Sequence, residues 1–224
     1  MNKQQFSDLY RNCRFAENDT LEILNCSFIA DAESIFGNVD WGYVAREIQW
    51  YESQSRNVQD IPGKTPKIWE QVADRHGNIN SNYGWCIWSG ANKDQYRHAI
   101  ETLLADKYSR QAQMIYTRPS MHSDSVKNGM YDFMCTNTTQ LVIRENKLHY
   151  IVHMRSSDAV FGYKNDRAWH VHVWGESLND LKEKYPNLVF GNLYWNAASF
   201  HVYPRHYKLI EEFNVKSGQN PSLD

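Results

Sequence analysis

The stretch "HMRSSDAVFGYKND", residues 153–166, puts Arg155, Ser156, Asp158 and Asp166 directly after an alternating, strand-like run. A guanidinium beside a hydroxyl makes a fork suited to a phosphate monoester, although arginine at a strand end also serves ordinary surface ion pairs. Glu47 falls on the inward side of a helical pattern, where a carboxylate needs polar partners or a raised pKa, and both are marks of a working site. Cys135 follows an apolar "DFM" and is flanked by polar residues. By residue type alone it is either a packing thiol or a nucleophile. His201 and Tyr203 in "FHVYPRH" point the same way along a strand, with His206 past the Pro204 bend. Neither these residues nor the pair His170 and His172 have the Cys or carboxylate partners of a closed zinc site, so they are read as non-metal.

The elements that must carry these groups are legible in the spacing. "DWGYVAREIQWYESQS" (40–55) predicts a helix with Tyr43, Val44, Glu47, Ile48 and Tyr51 on one face and Asp40 as N-cap. "DQYRHAIETLLADKY" (94–108) predicts a second, with Ala99, Leu103 and Leu104 inward, followed by an extended "RQAQMIYTR". "FMCTNTTQLVIRENKLHYIVHMRS" predicts a hairpin turning at "ENK", with Leu148, Tyr150, Val152 and Met154 on one strand face. A helix is expected over 166–185, weakened by Gly175, and "LVFGNLYWNAASFHVY" returns to strand. Residues 116–131 read as the longest loop. Strands and helices mix without strict βαβ alternation, which favours α+β.

The 224 residues suit one domain, 1–224, with no repeat or linker. There is no apolar run of membrane-spanning length and no secretory pattern at the start, so a cytoplasmic protein is expected. Four cysteines without CxxC spacing read as reduced thiols. A net charge of -2 argues against a general nucleic-acid surface, so any anionic ligand must meet a local cluster. The eight tryptophans are first of all core and interface material, although flat ligands also stack on them.

Taken together, the motifs resemble the thymidylate synthase superfamily over roughly residues 25–207. "REIQWY" is similar to the helix carrying that family's catalytic glutamate, and "KIWEQVADRHGNINSNYGW" to its Trp and Tyr segment. "DSVKNGMYDFMCTN" resembles the approach to its nucleophilic cysteine, "MRSSD" its phosphate and folate motif, and "FHVYPRH" its sugar-binding strand. Eight positions after Asp158, where synthases carry Asn, this chain has Asp166. Together with "SNYGW", "MIYTRPSM", "DFMCTNT" and "FGYKND", that departure resembles the bacteriophage branch that acts on deoxycytidylate. A carboxylate can accept from the cytosine N4 amino group but repels the O4 of uracil, and an unpaired buried group makes the wrong base costly.

The resemblance implies a three-layer α+β fold, a mixed sheet flanked by helices, with one sheet face forming a homodimer interface. It implies that Cys135 adds to C6 of dCMP, that C5 takes a one-carbon unit from 5,10-methylenetetrahydrofolate, and that water completes 5-hydroxymethyl-dCMP. Arg155 is expected to favour the thiolate. Glu47 is implied in proton transfer and water activation, and Asp166 in protonating the N3 region. Arg155 and Ser156 are implied as phosphate contacts, His201 and Tyr203 as sugar contacts, Tyr83 and Trp69 as walls around base and folate, and Asp158 as a folate-side residue. Arg110 is implied to reach the partner's phosphate. The family's next arginine is replaced by Gln111, a loss that Arg14 or Arg118 would have to make good. The chain runs only 18 residues past His206, and Thr136 stands where synthases have His; both suit hydration over hydride transfer. The competing readings are a dUMP hydroxymethyltransferase or methylating synthase, and a non-catalytic nucleotide- or single-strand-binding protein.

Overall fold

The hairpin expected at "ENK" is the spine of the molecule. The computed structural model describes residues 1, 3–17 and 20–210, the side chains of residues 9–17, 125 and 127 excepted. Its strands are β1 (Arg14–Glu17), β2 (Thr20–Ile29), β3 (Gln113–Ile115), β4 (Thr136–Arg144), β5 (Lys147–Asp158) and β6 (Val189–Val202), in one sheet of order β1-β2-β6-β5-β4-β3. Glu145 and Asn146 both take positive φ, 51° and 56°, which is the twist a two-residue hairpin loop needs to join β4 to β5. Leu148, Tyr150, Val152 and Met154 are all buried on one face of β5, as their alternation predicts. β5 and β6 pair in parallel, so the chain must cross over between them, and it does so through a long helix.

The helices are α1 (Lys3–Cys13), α2 (Trp41–Glu52), α3 (Lys67–Val72), α4 (Tyr83–Trp88), α5 (Gln95–Ala105), α6 (Met121–Asn128) and α7 (Gly162–Lys182). The Asp40 carboxylate accepts from Tyr43 N at 3.0 Å and starts α2; Asp94 does the same for Arg97 at the start of α5. α7 packs on β5 and β6, α4 and α5 meet β3, and α2 packs on α4 and α7. Nearly all the buried apolar residues among those described form a single cluster between these helices and the sheet. Across the other sheet face runs an accessible row, Ile115, Thr138, His153, Asn196 and Ser27, each paired to the next. No helix among the described residues is long and apolar enough to cross a membrane.

Two expectations need correction. Residues 116–131 are not one loop, because α6 forms inside them. The crossover helix begins at Gly162 rather than 166, and the turn leading into it is held by the Asp158 carboxylate, which accepts from Val160 N at 3.0 Å and Phe161 N at 3.2 Å. The polar run after β5 is therefore a helix start, and Asp166 sits within the second turn of α7.

The sheet also breaks phase along one line. The paired register omits Asn25 in β2, Arg155 in β5 and Ala198 in β6, and shifts between Thr136 and Thr138 in β4. Buried positions change parity there: Met154 and Ala197 are buried before the break, Ser157 and Phe200 after it. Aligned irregularities of this kind re-aim side chains, and Arg155 and the residues around Cys135 lie on this line.

Candidate active site

Cys135 stands just before β4, and Arg155 on the neighbouring strand holds it from several sides. Arg155 N donates to the Cys135 carbonyl at 2.8 Å, Nε donates to the Met134 carbonyl at 2.9 Å, and Nη2 donates to the Phe133 carbonyl and lies 4.0 Å from Cys135 Sγ. Arg155 acts in the expected direction, favouring the thiolate, but it does not decide the protonation state. Burial pushes the thiol up to about 12, the Asp166 charge adds to this, and the Arg155 attraction is outweighed. Cys135 and Asp166 nevertheless keep accessible surface. Both groups are thus strongly desolvated yet partly accessible.

Asp166 acts on the thiol from α7. The Tyr83 hydroxyl donates to its Oδ1 at 3.3 Å, and among the described residues nothing hydrogen-bonds Oδ2. Burial first, then the Glu47 charge, push this carboxyl up to about 8, against the Tyr83 bond. Tyr83 is placed by the contact of α4 with α2. A Cβ on Gly84 would lie 2.0 Å from the Tyr51 carbonyl, so only glycine lets these helices approach until Tyr51 and Tyr83 stack at 5.2 Å.

Glu47 is buried on α2, and burial pushes it up to about 7, opposed by hydrogen bonds from Tyr43, Trp69 and Tyr51. The Tyr43 hydroxyl donates to Glu47 Oε1, and Trp69 Nε1 donates to the Tyr43 oxygen at 3.1 Å. Glu47 raises Asp166, and Asp166 raises Cys135. The three groups, from α2, α7 and the approach to β4, thus share one electrostatic site.

The remaining sequence-selected residues divide. His201 is buried and held neutral chiefly by desolvation, with Tyr203 edge-on at 4.9 Å. Tyr203 feels the charges of Asp158 and Cys135, so both side chains border the site. Ser156 is half-buried beside Ser199. Both oxygens of Asp158 serve the start of α7. Trp69 is half-buried at the Glu47 end. Arg110 does not join them: within one chain it lines a separate hollow with Tyr108, Ser109 and Gln111. Arg118 shares a cleft of about 440 Å³ with Arg155, His122, Phe133 and Asn137. The Arg14 side chain lies outside the described residues. Among the described residues no three His, Cys, Asp or Glu stand together as metal ligands.

Sequence reasoning missed Tyr43 and Tyr51 as site residues, although their spacing of four from Glu47 was the available signal. It also missed Asp132, Asn80 and Ser81, whose mutual contacts span about 50 residues of chain and leave no local pattern.

A partly accessible thiol beside a mixed sheet, coupled electrostatically to two buried carboxyls, is the setting in which the comparisons with known proteins fall. Residues 36–223 match the family model for thymidylate synthase, and the chain belongs to that family. Within it, the chain is 49% identical over 196 residues to the deoxycytidylate 5-hydroxymethyltransferase of Enterobacteria phage T6, an alignment spanning 87% of this chain and 80% of that protein. Against the protein of the same name from Enterobacteria phage T4 the identity is 48% with the same coverage. A thymidylate synthase of Francisella tularensis is 26% identical over 188 residues, 80% of this chain and 66% of that one.

Proposed function

We propose that this protein is a transferase that moves a one-carbon unit from 5,10-methylenetetrahydrofolate to C5 of dCMP with addition of water. The observation that carries the reading is Asp166: a carboxyl pushed up to about 8, with one oxygen on Tyr83 and the other free of hydrogen bonds among the described residues. A neutral carboxyl donates from one oxygen and accepts at the other, which complements the N3 acceptor and N4 amino donor of cytosine. The relatives named for deoxycytidylate support the same choice.

Cys135 is the nucleophile for C6, and it begins as a thiol. As Sγ bonds to C6 its proton passes to water, and the nucleotide phosphate held by Arg155 and Ser156 fixes the ring over Sγ. Asp166 shares its proton with N3, which makes C6 more electrophilic. Folate, when bound, supplies the one-carbon unit. Trp69, half-exposed beside Glu47, offers a flat wall for its ring, whereas Asp158, committed to the α7 start, contributes through that helix. Glu47, poised near neutrality by burial, takes the proton from the attacking water, with Tyr43 and Trp69 fixing its oxygens. His201 and Tyr203 contact the sugar.

The working unit is a homodimer across the accessible sheet face. Arg110, remote from its own site, reaches the partner's phosphate, and Arg118 in the Arg155 cleft stands in for the arginine missing at Gln111. A cytoplasmic location follows from nucleotide and folate as substrates. Incubation with dCMP and methylenetetrahydrofolate should release C5 hydrogen to water without dihydrofolate absorbance. Release from dUMP alone would favour the uridylate-specific reading, and binding without release a non-catalytic one.

A further inference from the structure

We propose that Asp132 is a positioning residue for the reaction, clasping the segment that carries Cys135 to the turn that carries Tyr83. Asp132 lies three residues before Cys135, is buried, and spends both carboxylate oxygens on one partner segment. Its Oδ2 accepts from Asn80 N and Ser81 N, each at 2.7 Å, and its Oδ1 accepts from Ser81 Oγ at 2.7 Å. Asn80 Nδ2 returns a bond to the Asp132 carbonyl at 2.9 Å. Asn80 and Ser81 immediately precede Asn82, the N-cap of α4, and Tyr83, its first residue.

The consequence is geometric. Tyr83 holds Asp166 by its hydroxyl, and Cys135 follows Asp132 by only three residues, so one buried carboxylate sets the separation between the thiol and the group that faces the base. Asn80 is saturated as well. Its Oδ1 accepts from Arg118 Nη2 and from Arg56 Nη2 at 3.0 Å, and its Nδ2 also donates to Asp124 at 2.8 Å. The clasp is thus braced from the cleft that Arg118 shares with Arg155. Buried networks with every member satisfied specify one arrangement. Asp132 touches no reacting atom; it acts through Cys135 and Tyr83, and its charge also opposes ionisation of the thiol.

This inference rests on the reading of Cys135 as the nucleophile, and its test separates the two. Asp132→Ala removes three accepted bonds and should lower kcat roughly 10- to 100-fold per titrated Cys135, with KM for the nucleotide within about threefold, as expected for a misplacement of order 1 Å. Asp132→Asn has the same shape; with the Ser81 hydroxyl turned to accept from its amide, it should restore most of the turnover. Both variants lose the charge, so Cys135 should react with iodoacetamide faster at pH 9 than in the parent, a readout that needs no nucleotide. Should Asp132→Ala not fold, Ser81→Ala keeps the charge and should slow turnover with the alkylation profile unmoved. Turnover per thiol equal to the parent in Asp132→Ala or Ser81→Ala, or an alkylation rate unchanged in Asp132→Asn, overturns the proposal. A parent whose Cys135 is dispensable for turnover overturns the nucleophile reading instead.

Discussion

Arg155 Nη2 lies 4.0 Å from Cys135 Sγ while its own backbone N–H holds the Cys135 carbonyl at 2.8 Å, so the cation nearest the thiol belongs to the strand that fixes the thiol's backbone. At that distance a cation normally favours thiolate. Here desolvation and the Asp166 charge prevail, and the thiol stays protonated up to about 12. In the role proposed for it, Cys135 is therefore latent in the free protein until a ligand alters the field.

Alkylation measures this latency. At pH 8, Cys135 should react with iodoacetamide on the order of 10³-fold more slowly than an unperturbed thiol, whose pKa is about 8.5. Asp166→Asn should accelerate the reaction at pH 9, where the native carboxyl is ionised, because it removes the second-largest cause of the upward shift. An ordinary rate in the parent would refute the latency.

Base choice should follow Asp166. An amide there can donate to O4 of uracil and accept from its N3–H, so Asp166→Asn should move the dCMP:dUMP ratio of kcat/KM toward dUMP by at least about 100-fold, the size expected when a buried polar pair is matched or left unpaired. Competition assays with both nucleotides in one tube read the ratio directly, and an unmoved ratio would remove this account of selectivity.

Glu47 exacts a stability cost with a definite sign. Its carboxyl is raised from 4.5 to about 7, so between those values the unfolded chain has lost a proton that the folded one keeps, and stability falls as pH rises through the window. Above pH 7 the full penalty, about 3 kcal/mol, is in place. Glu47→Gln should therefore be more stable than the parent at pH 8 and gain little at pH 4, while turning over far more slowly. Denaturant melts at the two pH values decide it, and an equal difference at both would contradict buried ionisation as the cause.

Much of this site could be read before the fold was seen, for particular reasons. Glu47 betrayed itself as a carboxylate on an apolar helix face, and the hairpin at Glu145 and Asn146 by its alternation and turn. Asp166 was chosen by family resemblance, since nothing local distinguishes it from any helix-surface aspartate. Other features depend on contacts distant in sequence. The clasp of Asp132 on Asn80 and Ser81 joins positions about 50 residues apart. The turn into α7 is held by both oxygens of Asp158 acting together. That burial outweighs the attraction of Arg155 at Cys135 is likewise invisible in the sequence, which does not show how deeply the thiol is desolvated.

Dimer assembly can be tested through Arg110. If it serves the partner's site, Cys135→Ser and Arg110→Ala chains, each nearly inactive alone, should recover activity when refolded together. A symmetric dimer at equal mixing should reach about a quarter of parent activity, from one intact site in half of the dimers. No recovery would mean that Arg110 works within its own chain or not at all.

What leaves the active site decides the chemistry. Mass analysis of the nucleotide formed from dCMP and methylenetetrahydrofolate should show 5-hydroxymethyl-dCMP, one oxygen heavier than the 5-methyl product. Recovery of 5-methyl-dCMP, or of unchanged dCMP from protein that turns over dUMP, would contradict the proposed reaction.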